Sequence, residues 1–243
     1  MHISRPNLYD YLKVIAIVTM IIDHIWFLFF PGLGVLRVVW RVAFPLFLFL
    51  VWYNHSYTHT YVLRLSGIVL QIGLWIWWYY GWTDMWYINI LLAIWLTRYL
   101  MIYIQKRNIL RWEIAIYICC LGVAGMTYKY IDYGTLSIVF ALLGYRVRKY
   151  GNNRYVIFAI FVSVSYHMLF MYIVRGFDSD VLWLIFVWFF LYISMYMMSN
   201  RNYPLVSECR RYDKLLLLIS KNALLIYILQ SLILTLMFVF SFL

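Results

Sequence analysis

The sequence has little charge. Asp, Glu, Lys and Arg make up only 12% of its 243 residues, against about 25% in a soluble domain. It also lacks any long polar stretch. Apolar runs of roughly 20 residues, the length that crosses a bilayer, recur to the C-terminus. These shortages exclude a soluble globular fold and any separate water-exposed domain. Acidic residues are the scarcest charge, 9 against 20 Lys and Arg, so the formal net charge is +11. In a soluble chain that excess would suggest nucleic acid. Here most of it lies in short loops between apolar runs, where it marks membrane topology, and nucleic acid is not an expected partner. Cysteine is sparse: Cys119 and Cys120 are adjacent within an apolar run, and Cys209 lies in a basic loop. That spacing suits neither a disulfide framework nor a metal site. A cleavable signal peptide is not expected, because the first apolar run is long, carries Asp and His, and has no small-residue cleavage site.

What is present is apolar: 66% hydrophobic and 22% aromatic residues, with a mean hydropathy of +0.83. The chain reads as one all-α, polytopic membrane domain over residues 1–243. Nine spans are expected, at about 12–30, 35–53, 61–79, 85–105, 112–128, 132–149, 155–174, 181–199 and 222–243. Residues 215–219 are too short to span and belong to an interfacial helix after the basic loop 200–214. Alternate loop ends collect Arg5, Lys13, Arg64, Lys106, Arg107, Arg111, Arg146, Arg148, Lys149, Arg154, Arg201, Arg210, Arg211, Lys214 and Lys221. The opposite ends hold only Lys129 and Arg175. The positive-inside rule then makes the N-terminus cytoplasmic. Arg98 lies near a cytoplasmic end and can snorkel, but Arg37 and Arg41 open the second span at its outer end.

The stretch "IVTMIIDHIWFLFF" buries Asp23 and His24 six residues before the outer end of the first span. Arg41 lies six residues into the second, beyond the tight turn Pro31–Gly34. Both are roughly 9 Å below the outer surface at 1.5 Å per residue. Asp23 opposite Arg41 offsets much of the cost of two buried charges. His24 points about 100° away from Asp23 on the helix and is left to face a cavity. Pro45 is expected to displace the carbonyl of Arg41 and bend the helix there. Asn89, and Asp132 with Tyr133 in "IDYG", add polar groups from two further spans on the outer side. His55 and His59 are four residues apart, but no third ligand is near, so no metal is expected. His167 is isolated and reads as structural.

The segments "YLKVIAIVTMIIDHI", "LRVVWRVAFPLFLFLV", "THTYVLRL", "NILL" and "DYG" resemble the TraX family in order and spacing, over roughly residues 8–145. The pair D-H followed by R-x-A-F-P-L-F is the most specific part. Trp40 stands where the family has a small residue, and Gln230 near where such proteins carry a histidine. The segment "SKNALLIYILQSLIL" also resembles the last span of membrane acyltransferases. The resemblance implies transfer of an acetyl group from cytoplasmic acetyl-CoA to an outer-face acceptor, the N-terminal amine of a conjugative pilin. In that setting His24 is the expected general base, with Asp23 positioning it or its Arg partner. Arg41 or Asn89 would stabilise the oxyanion, and Arg37, Asp132 and Tyr133 would line the acceptor side. Arg64 and His59 at the inner mouth would meet the CoA phosphates. Other readings are O-acetylation of an envelope sugar or lipid, a proton-coupled transporter, and a non-catalytic scaffold. Against a transporter, no broken-helix pair repeats in the two halves.

Overall fold

Backbone N–H and C=O groups in a bilayer have no water to bond, so a chain this apolar satisfies them within helices. The computed structural model describes residues 6–29, 42–54, 60–79, 90–106, 113–127, 134–175, 181–200 and 210–240. Among these residues all regular structure is helical: α1 (Leu8–Phe29), α2 (Ala43–Asn54), α3 (Thr60–Tyr79), α4 (Ile90–Lys106), α5 (Glu113–Gly122), α6 (Ala124–Thr127), α7 (Leu136–Tyr150), α8 (Arg154–Arg175), α9 (Val181–Ser199), α10 (Arg210–Lys221) and α11 (Ala223–Phe240).

The centre is the pair α2 and α7. α2 is apolar on every side, which suits a helix surrounded by others, and buries Phe44, Leu46, Leu48, Phe49, Leu50 and Trp52. α7 buries Leu136, Val139, Phe140, Leu143 and Val147. The two backbones meet at Gly144, where a Cβ would overlap the Phe49 carbonyl. Only glycine allows that approach, the small-residue device of membrane helix packing. One turn on, the Arg148 guanidinium donates to the Tyr53 carbonyl at 2.8 Å, satisfying an orphan acceptor at the end of α2. Gly134, the glycine of "DYG", turns the chain into α7 with φ 55°, a conformation glycine reaches without strain.

Around this pair, α1 packs on α2, while α4, α5 and α8 pack on α7. α3 rests on α4, and α9 on α8. Polar groups tie neighbours together: Tyr117 donates to the Ala159 carbonyl at 2.9 Å, and the Trp188 indole donates to Ser165 at 3.0 Å. The outer helices turn apolar side chains outward, Val62, Leu65, Ile68, Val69 and Ile72 on α3, and Leu182, Ile185, Phe186, Phe189 and Ile193 on α9. Patches of that size mark a surface meant for lipid or another protein, and these helices are those of a membrane protein.

Each expected span contains a described helix, with two differences. The fifth breaks at Val123 into α5 and α6, between Gly122 and Gly125, residues of low helix propensity. The second is described only from Val42 onward. α2 begins at Ala43, so Pro45 is its third residue, where its missing N–H costs no intrahelical bond. The bend expected at Arg41 lies outside the described residues. By length and composition, Arg154–Ile173 and Leu182–Ser199 can each cross a membrane alone, and α10 with α11 would be a third span bent by 73°. α10 occupies the place of the expected interfacial helix, with Tyr212, Leu215 and Leu218 exposed and Asp213 and Ser220 buried.

Candidate functional site

α11 lies against α1, and their contact holds the polar pair of most chemical interest. The Gln230 side-chain Nε2 is 2.5 Å from Nδ1 of His24. Tyr227 and Gln230, three residues apart, share one face of α11. The Tyr227 ring meets His24 edge-on, with centroids 6.0 Å apart. Gln230 is 8% exposed, and among the described residues its Oε1 is buried without a hydrogen-bond partner. His24 is half-buried.

An amide N–H can donate only to an unprotonated ring nitrogen, which puts the proton of a neutral imidazole on Nε2. Turned end for end, the same amide accepts from Nδ1–H and makes Nε2 the basic nitrogen. Both arrangements share one heavy-atom geometry. Because Gln230 is neutral, it orients the ring without adding a charge that would fix the ring's protonation state.

A second polar cluster lies at the start of α1. Asn7 and Asp10 form a capping box, each backbone N–H bonding the other's side chain at 3.1 Å. Ser220 of α10 donates to Asp10 at 2.7 Å. Lys13 lies 5.7 Å from the centre of the Tyr9 ring, and Tyr9 stacks on Tyr53 of α2.

Of the residues singled out in the sequence, Asp23 and His24 are consecutive and half-buried on α1. Arg37, Arg41, His59, Asn89, Asp132 and Tyr133 lie outside the described residues, and with them the Asp23–Arg41 pair. Arg64 is exposed on α3, its guanidinium 5.5 Å from the Tyr61 ring centre, with no described contact to His24. His167 is fully buried against the edge of Phe140, in keeping with a structural role. Among the described residues no three His, Cys, Asp or Glu side chains cluster as metal ligands.

Gln230 was the missed partner. In the sequence it stood out only as a departure from an expected histidine. A buried amide in an 18-residue apolar helix needs a polar neighbour, and that signal was present.

A family model described as TraX protein matches residues 9–206. An uncharacterized protein of Rickettsia prowazekii (strain Madrid E) is 28% identical over 252 residues, covering 98% of this chain and 95% of that protein. No solved structure matches. The family match contains Asp23 and His24 and stops before α11, so Gln230 falls beyond it, whereas the rickettsial protein is similar over almost the whole chain. With well over half of its length matched, the chain belongs to the TraX family.

Proposed function

We propose that the chain is a membrane-embedded acetyltransferase that moves an acetyl group from cytoplasmic acetyl-CoA to an acceptor on the outer face. The acceptor in this reading is the N-terminal amine of a conjugative pilin subunit, and family membership is consistent with a pilin-related role. The reading takes nine spans, an inner-membrane location and a cytoplasmic N-terminus. The observation that carries it is the contact of His24, in the D-H motif, with the buried Gln230.

The donor supplies an acyl carbon activated as a thioester. An α-amine, with a pKa of about 7.7–8.0, is partly neutral at physiological pH and needs help mainly in losing a proton as it attacks. His24 Nε2 takes that proton. The ring then carries N–H on both nitrogens, and the Gln230 carbonyl accepts from Nδ1–H. This is the base-and-orienter logic of nucleophilic catalysis, with a neutral amide as the orienter. His24 then returns the proton to the departing sulfur. Asp23 shapes the position of the ring or of Arg41. Arg41 or Asn89 holds the oxyanion, Arg37, Asp132 and Tyr133 line the acceptor side, and Arg64 and His59 flank the donor entrance. Co-expression with a candidate pilin tests the reading. Mass spectrometry should find a gain of about 42 Da, one acetyl group, on the pilin's first residue. An unmodified terminus at full expression of both proteins would rule this acceptor out.

A further inference from the structure

α10 is two-sided. Asp213 and Ser220 are both buried, and residues two helical turns apart share one face. α10 packs on α1, and from that face Ser220 donates to Asp10 at 2.7 Å. The rest of the helix surface is open. Tyr212, Leu215 and Leu218 are exposed, as are Lys214 and Lys221. At about 100° per residue, the two lysines fall within roughly 20° of each other. The three apolar residues cover about 120° beside them, nearly opposite the buried face. Asp213 is the acidic residue of α10 and lies on the buried face, so the lysines form a cationic edge. The helix is also set crosswise. The chain bends by 73° between α10 and α11, so α10 runs across the direction of the apolar α11. Bonds fix that corner. The Asn222 amide donates to the Leu218 carbonyl at 2.8 Å, and the Asn222 carbonyl accepts from the Ile226 N–H at 2.9 Å.

We propose that α10 binds anionic phospholipid, with Lys214 and Lys221 on the headgroup phosphates and Tyr212, Leu215 and Leu218 in the acyl boundary. The inference stands apart from the acetyl-transfer reading. Charge complementarity selects the occupant. A strip of exposed apolar side chains flanked by ammonium groups is the pattern of a helix lying in the membrane interface. Lysine stems reach along the apolar strip while their heads stay among the headgroups. Near an anionic membrane surface each lysine contributes a favourable attraction, which a zwitterionic headgroup does not match. The effect reaches further than α10. Ser220 ties α10 to the first turns of α1, and the fixed corner at Asn222 carries the chain into α11, which brings Gln230 to His24. Lipid held on the open face of α10 therefore steadies the α1–α11 contact, since a ligand of the native state stabilises it.

The test uses the purified full chain in micelles holding equal amounts of phosphatidylglycerol and phosphatidylcholine. Native mass spectrometry counts the lipids each protein retains, and thermal unfolding confirms that each is folded. Wild type is compared with the double variant Lys214→Gln, Lys221→Gln, with the charge-keeping double variant Lys214→Arg, Lys221→Arg, and with Lys149→Gln, which removes an exposed cation at the end of α7. Wild type should retain phosphatidylglycerol in preference and unfold at a higher temperature when it is present. The double Gln variant should lose roughly 10- to 30-fold of that preference and most of the thermal gain. The double Arg variant and Lys149→Gln should keep both. A folded double Gln variant with wild-type preference would overturn the proposal. So would an equal loss in Lys149→Gln, which would make the preference one of net charge. A wild type that retains the two lipids equally and runs as a dimer, broken by Leu215→Ser, would give the face to a second copy of the chain and also overturn it.

Discussion

At the start of α1, Asp10 is held by Asn7 and Ser220, and Lys13 lies over Tyr9. About 21 Å along the same helix, His24 meets Gln230 and the edge of Tyr227. The first end ties a carboxylate down with hydrogen bonds and sets an ammonium over a ring. The second gives a titratable ring a neutral partner. That difference separates two tasks. The hydrogen bonds from Asn7 and Ser220 fix the Asp10 carboxylate, and with it the first turn of α1. A neutral amide can bond an imidazole in either of its states without adding a charge of its own. In the proposed reading, one helix thus carries an anchored end and a reacting end.

Substitution of His24 should separate the two ends most sharply. His24→Ala should lower acetyl transfer by about 10²- to 10⁴-fold, while CoA affinity, measured on the same preparation, stays near wild type. His24→Asn should behave alike and recover part of its rate as pH rises, because more acceptor amine is then neutral. Gly144→Ala should damage both ends together. Its Cβ collides with the Phe49 carbonyl, and overpacking of this kind costs about 1–3 kcal/mol, read as a lower unfolding temperature in detergent. Gln230 tests the reacting end alone. Gln230→Leu should slow transfer roughly 10-fold, the scale of one lost hydrogen bond, with CoA binding preserved. Gln230→Glu puts a negative charge beside the ring, which favours its protonated form, so half-maximal rate should be reached at a higher pH than in wild type. The smallest effect is expected at the start of α1. Ser220→Ala removes one hydrogen bond to Asp10 and should cost about 0.5–1.5 kcal/mol of stability, with little change in turnover.

Much of the helix pattern was legible because lipid solvent leaves a blunt signal: long apolar runs give α8 and α9, and a short apolar run after basic residues gives α10. His24 was legible for the same reason, as an ionisable group where charge is expensive. Its partner was not, since Gln230 is 206 positions away and nothing local states which face of α11 meets α1. Gly144 was equally silent. Its importance comes from the Phe49 backbone on another helix, not from its own neighbours. Asp10 and Ser220 read as separate residues, and only the packing of α10 on α1 joins them in one hydrogen bond.

The most direct test of the account is product analysis in membranes carrying the chain, acetyl-CoA and a candidate pilin, with wild type and His24→Asn run side by side. Mass spectrometry should find a pilin about 42 Da heavier, one acetyl group on its terminal amine, with wild type and only unmodified pilin with the variant. Equal acetylation by the two proteins, at equal abundance and neutral pH, would contradict the assignment of His24 as the base.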